Sequence, residues 1–114
     1  MSGSQREDYL LRQARAVAAM LARIAGLRTS GRTEEARAQL DEAYGLLVGS
    51  EAELLRRVDA STAALCLGSK ERILAYSQLL REEAALEAGG SRRAALRACA
   101  EALETEAARL PGGP

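Results

Sequence analysis

Apolar side chains recur at intervals of three and four along most of this chain, the period of an α-helix buried on one side. Leu10, Ala14, Val17, Leu21 and Ile24 make the first such run, behind a Ser4 and Glu7 pair spaced as a capping box, and predict a helix over about 5–28. Tyr9, Met20 and Leu27 widen its stripe, so this helix is expected to touch more than one neighbour. Gly31 is placed to end it in a left-handed conformation, and Thr33 to cap a second helix with Glu34 and Glu35 in its first turn. The second buried stripe is Ala36, Leu40, Ala43 and Leu47, ending at Gly49. So short a connection predicts an antiparallel hairpin.

Ser50 and Glu53 form another capping-box spacing, opening a segment anchored by Leu54, Leu55, Val58, Leu65 and Leu67. Within it, Asp59 to Thr62 compete with the backbone for hydrogen bonds, which favours two short helices over one. Gly68 and Ser69 close this segment and start a helix running to about Ala88 through Ile73, Leu74, Tyr76, Leu79, Leu80, Ala84 and Leu86. Gly89 and Gly90 stop it. Ser91 is placed to cap a last helix with Leu96, Cys99 and Leu103 on its buried side, and residues 111–114, PGGP, read as a disordered tail. The expected fold is all-α: a single domain over 1–110, a right-handed array of five or six antiparallel helices with an irregular middle segment.

Composition supports this reading and narrows the chemistry. Ala and Leu dominate the apolar residues, Trp and Phe are absent, and Tyr9, Tyr44 and Tyr76 are the only aromatics among 114 residues. Such a core packs by close helix approach, with Ala as the small partner and Leu as the filler. Sixteen basic residues balance sixteen acidic ones, which argues against a nucleic-acid partner. The balance is uneven: residues 1–32 carry six arginines against Glu7 and Asp8, while residues 33–60 carry seven acids against three arginines. An Arg-rich first helix lying against an acidic second one is the simplest reading of that asymmetry.

The same residues speak against catalysis. The chain has no His to complete a metal site or a di-iron Glu-x-x-His pair, and Cys66 and Cys99 read as reduced, buried structural thiols. The carboxylate pairs Glu34–Glu35, Asp41–Glu42 and Glu82–Glu83 point about 100° apart on a helix and read as solvated faces. GSK at 68–70 lacks the spaced glycine of a phosphate loop. No apolar run reaches the roughly 18 residues that a membrane span needs, and no secretory signal pattern opens the chain, so a cytoplasmic protein without a membrane partner or cofactor is expected.

Two turn glycines open similar segments: Gly31 to Ala43 reads GRTEEARAQLDEA, and Gly90 to Ala102 reads GSRRAALRACAEA. Each has a small residue five positions on (Ala36, Ala95), an apolar residue four further (Leu40, Cys99), and Ala three beyond that (Ala43, Ala102). This pattern resembles the second helix of a tetratricopeptide repeat, over about 15–49 and 72–109. It departs from the family in the 59-position spacing of the glycines, against a period of about 34, and in Met20, Leu79 and Ile24 at first-helix signature positions. The whole layout is similar to a bacterial family of single-domain tetratricopeptide-like proteins of unknown function. The resemblance implies a fold and leaves the activity open.

The expected function is non-catalytic interaction with a protein or peptide, a partner helix docking in a groove lined by the first helices of the hairpins. The candidate contact residues are Tyr9, Arg12, Arg15, Arg23, Tyr76 and Arg81, with the arginines selecting acidic groups. Alternatives from other classes are a homodimer that covers its own terminal surface, a helical small-molecule sensor, and nucleic-acid contact through the Arg-rich first helix.

Overall fold

The computed structural model describes residues 2–111, with side chains from Gln5 onward. It is all-α: α1 (Ser2–Thr29), α2 (Thr33–Val48), a 3-10 turn at Gly49–Glu51, α3 (Ala52–Arg57), α4 (Ala60–Leu67), α5 (Lys70–Leu86) and α6 (Ser91–Arg109). The helices α1 and α2 form one hairpin and α5 and α6 another. The second hairpin's first helix, α5, packs against both α1 and α2, while α4 lies on α6 and α3 beside α2.

One core runs through this array. Val17 and Ile24 of α1, Ala36 and Ala43 of α2, Ile73, Leu79 and Ala84 of α5, and Ala100 and Leu103 of α6 are fully enclosed. Alanine at so many of these positions lets the helix axes approach closely, and leucine and isoleucine fill what remains. At 28 residues, α1 is about 42 Å long, close to the 45 Å long axis of the molecule. The 16 residues of α2 span only about 24 Å, so the leading part of α1 runs past the end of its hairpin partner.

Gly31, at φ 79°, makes the turn between α1 and α2 as its sequence position requires. The middle segment does break into two helices. Val58 is extended, and the Asp59 carboxylate then accepts the Thr62 N–H at 2.8 Å as the cap of α4. Ser69 likewise accepts the Arg72 N–H and starts α5. Other expected caps are not the ones used. Ser4 falls inside α1, with its side chain outside the described residues. Thr33 and Ser91 are first helical residues, behind Arg32 and Gly90. Ser50 sits in the 3-10 turn, and Glu51 precedes α3 without a side-chain cap. The expected tail lies, apart from Pro111, outside the described residues.

The internal echo does not carry over to the packing. In α2 the buried stripe is Ala36, Leu40, Ala43 and Leu47; in α6 it is Leu96, Ala100, Leu103 and Ala107, while Ala95 and Ala102 are exposed. Burying two leucines removes more apolar area from water than burying two alanines, so α6 is turned by about one residue, ~100°, from the aligned register.

Ionic contacts also differ from the expected pairing of α1 with α2. Arg28 near the end of α1 pairs instead with Glu82 of α5 at 2.8 Å, and Arg37 of α2 donates to the Leu86 carbonyl at the end of α5 at 2.9 Å. Among the described residues no ion pair joins α1 to α2. The most enclosed cation is Arg72, which donates to the Leu47 carbonyl at 2.7 Å and the Leu67 carbonyl at 2.9 Å. Those carbonyls belong to the last turns of α2 and α4, where the helix dipoles favour positive charge. One guanidinium thus fastens both ends of the irregular segment to α5.

Candidate interaction surface

Between α1 and α5 the surface sinks into a groove. Ala14 and Ala18 from α1 and Ala75 from α5 make its floor, Leu21 and Leu74 its walls, with Arg15, Glu71 and Gln78 at its edges. The floor is low because Ala14 and Ala75 are buried and add almost no side chain above the backbone. Leu74, by contrast, stands about one third exposed on its wall. The space amounts to about 350 Å³. Past Glu71 it continues as a second hollow of about 450 Å³ between Arg6, Glu7, Leu10 and Leu11 of α1 and Leu67, Gly68 and Ser69 at the turn into α5. That second stretch exists because α1 outruns α2 and leans over the turn between α4 and α5.

Of the six residues singled out from sequence, Arg15 alone lines this groove. Arg23 edges a separate crevice on the α1–α2 side, with Leu27, Arg32, Glu35, Ala38 and Gln39. Eight helical residues separate it from Arg15, an offset of about 80°, enough to set the two at opposite edges of one broad face of α1. Arg12 is exposed between them, and Tyr9 is half exposed with its hydroxyl accepting from Gln13 at 2.7 Å. Arg81 forms a two-point contact with Glu104 of α6 at 2.7 and 2.6 Å, away from the groove. Tyr76 is removed from the contact surface altogether: it is 2% exposed, packed edge-on against Tyr44 with ring centroids 5.8 Å apart. Burying that ring takes more apolar area out of water than any aliphatic neighbour would, which puts it in the core.

The most constructed polar cluster went unseen in the sequence. Glu83, read there as a solvated face with Glu82, is buried under α3 and α6. It accepts from the Tyr44 hydroxyl at 2.7 Å, from Arg56 at 3.2 Å and from Arg92. The Arg56 guanidinium lies 5.1 Å from the centre of the Tyr44 ring, a cation–π contact, and Arg92 also reaches Glu87 at 3.2 Å. Burial, reinforced by the Glu83 charge, pushes the Tyr44 phenol far above its ordinary range, so it stays a hydrogen donor. Beside this cluster lies a cavity of about 290 Å³, with Leu55, Val58, Leu80, Leu96 and Cys99 among its walls. Cys99 is half-buried, as is Cys66, and neither is bonded to another sulfur. Burial raises the Cys99 thiol above its usual range, which leaves it protonated and a poor nucleophile at neutral pH.

No three or more His, Cys, Asp or Glu side chains converge on a point among the described residues. No helix among them is long and apolar enough to cross a membrane. Comparison with family models, with curated proteins and with solved structures returned no match.

Proposed function

We propose that this chain is a non-catalytic protein-interaction module that takes an amphipathic helix of a partner protein into the groove between α1 and α5. The observation that carries this reading is the groove's make-up: a low alanine floor, leucine walls and a charged rim. A helix with apolar residues at i, i+3 or i+4, and i+7 fills such a trough, and Arg15 and Glu71 on the rim fix its direction by charge. The packing order gives further support. A second hairpin whose first helix lies against both helices of the first is the arrangement of a tetratricopeptide-like array, with α1 and α5 on its receiving side. The buried polar cluster offers no competing activity, since Tyr44, Arg56 and Arg92 direct their hydrogen bonds to Glu83.

A library of displayed helical peptides, selected against the purified chain and followed by amide shift mapping, tests this. The expected result is enrichment of amphipathic helices that shift Ala14, Ala18, Leu21, Leu74 and Gln78, with binding abolished by Ala18→Arg and by Leu74→Arg. Selected peptides that map to α6, or that bind both variants as tightly as the parent, would place the contact surface elsewhere.

A further inference from the structure

The leading half of α1 carries a second surface, which shares Ala14, Arg15 and the second hollow with the groove and lies otherwise N-terminal to it. Residues 7–15 read EDYLLRQAR: two acids, an apolar centre, then two arginines. Glu7, Asp8, Arg12 and Arg15 are all exposed, and none forms an ion pair among the described residues, although Asp8 and Arg12 stand one turn apart. Leu10 and Leu11 between them are only half-buried, over the hollow bounded by Leu67, Gly68 and Ser69. A helical segment whose charge runs from acid to base about an apolar centre is complementary to itself when turned end for end.

We infer that this segment docks on the same segment of a second copy of the chain, antiparallel, with the two-fold axis passing beside Leu11. In that register Glu7 stands level with Arg15 of the other copy, twice over by symmetry, and Asp8 lies within a turn of both Arg12 and Arg15 across the contact. Leu11 meets Leu11, and the incoming helix enters the hollow beside the turn between α4 and α5. The 16 residues of α2, the helix that follows in the hairpin, leave about the first dozen of the 28 in α1 without a neighbour from it. The shared stretch, Gln5 to Val17, is about 20 Å long. One helix crossing of that length falls short of the ~800 Å² per partner of a standard interface, so the dimer belongs with weak, transient contacts.

Sedimentation velocity on the full chain, from about 5 to about 500 µM, spans the range in which such a contact associates. The parent is expected to move from monomer to dimer across it, with less dimer as salt is raised. Two variants decide the register: Glu7→Arg with Asp8→Arg, and Arg12→Glu with Arg15→Glu. Each puts like charges opposite one another and is expected to weaken self-association at least about tenfold. Mixed together, the two are expected to form a one-to-one heterodimer, because every acid again meets a base. Helical circular dichroism confirms that both surface variants fold. A parent that stays monomeric throughout, variants that dimerise like the parent, or a mixture that recovers nothing would each overturn the inference. Leu74→Arg, outside the paired stretch, leaves this dimer intact, so failure here and failure of the groove reading are separately visible.

Discussion

Tyr44 donates its phenolic hydrogen to Glu83 across 2.7 Å in the interior of the domain. The same carboxylate also receives Arg56 and Arg92, from α3 and α6, so one side chain of α5 gathers three other helices. Replacing Glu83 with Ala removes the acceptor that all three donors share and leaves Tyr44 buried without a partner. A loss of about 2 kcal/mol in urea unfolding is expected, the size of leaving one buried hydroxyl unsatisfied, since Arg56 and Arg92 are part-exposed and fall back on water. Tyr44→Phe removes one donor from a carboxylate that keeps two, and about 1 kcal/mol is expected. The double variant should cost less than the sum, because the hydroxyl has already lost its partner in Glu83→Ala.

Arg72 binds a carbonyl of α2 and a carbonyl of α4 with one buried guanidinium. Arg72→Met keeps the apolar stem and leaves both carbonyls without their donor, so about 2–3 kcal/mol should be lost. Arg72→Lys is not expected to restore it, since a single ammonium lacks the planar fork that reaches two carbonyls at once. Hydrogen exchange separates this from general loosening: protection should fall first across the 3-10 turn, α3 and α4, before α1 and α2 open.

Stability should fall at both ends of the pH scale for identified reasons. The hydrogen bond from Arg81 holds Glu104 below its ordinary 4.5, and the Thr62 N–H holds Asp59 below its ordinary 3.8. In both cases the unfolded chain takes up the proton first. The stability these groups contribute is therefore complete above those values and drains away as pH falls through the folded ones. On the alkaline side, burial raises Cys99 above 9.0 and Tyr44 above 10.0, so the unfolded chain loses its protons first and stability declines as pH rises past those points. Urea midpoints as a function of pH check this. Glu104→Gln should flatten the acid limb, and Tyr44→Phe the alkaline limb.

The helices were legible because apolar period and punctuation agreed in part: of the run Leu10, Ala14, Val17, Leu21, Ile24, the second, third and last are buried and the two leucines half-buried, and Gly31, Asp59 and Ser69 each act where they stand. What stayed hidden depended on where the neighbouring helix comes to rest. Glu82 and Glu83 are identical side chains one position apart, yet the first lies at the edge against Arg28 and the second is enclosed. Only the placement of α2, α3 and α6 around α5 distinguishes them. The groove is similar. Arg12, Arg15 and Arg23 share a broad face of α1, but α5 covers one edge and α2 the other, so they part company. Register in α6 turned on area, with Leu96 and Leu103 outweighing the alanines that the repeat pattern had marked.

Two glycines at the end of α1 should respond to alanine in opposite directions. Gly26 lies inside the helix with ordinary helical geometry, and a Cβ added there meets nothing within 4 Å. Alanine at that site limits the freedom of the unfolded chain and adds helix propensity, so Gly26→Ala should stabilise by about 0.5–1 kcal/mol. Gly31 also has room for a methyl group, but its φ of 79° is one that L-residues adopt at a cost. Gly31→Ala should therefore destabilise by about 1 kcal/mol for conformational reasons alone. Thermal unfolding of the two variants against the parent checks the contrast. If both moved in the same direction, the turn between α1 and α2 would not require the left-handed conformation that closes the first hairpin.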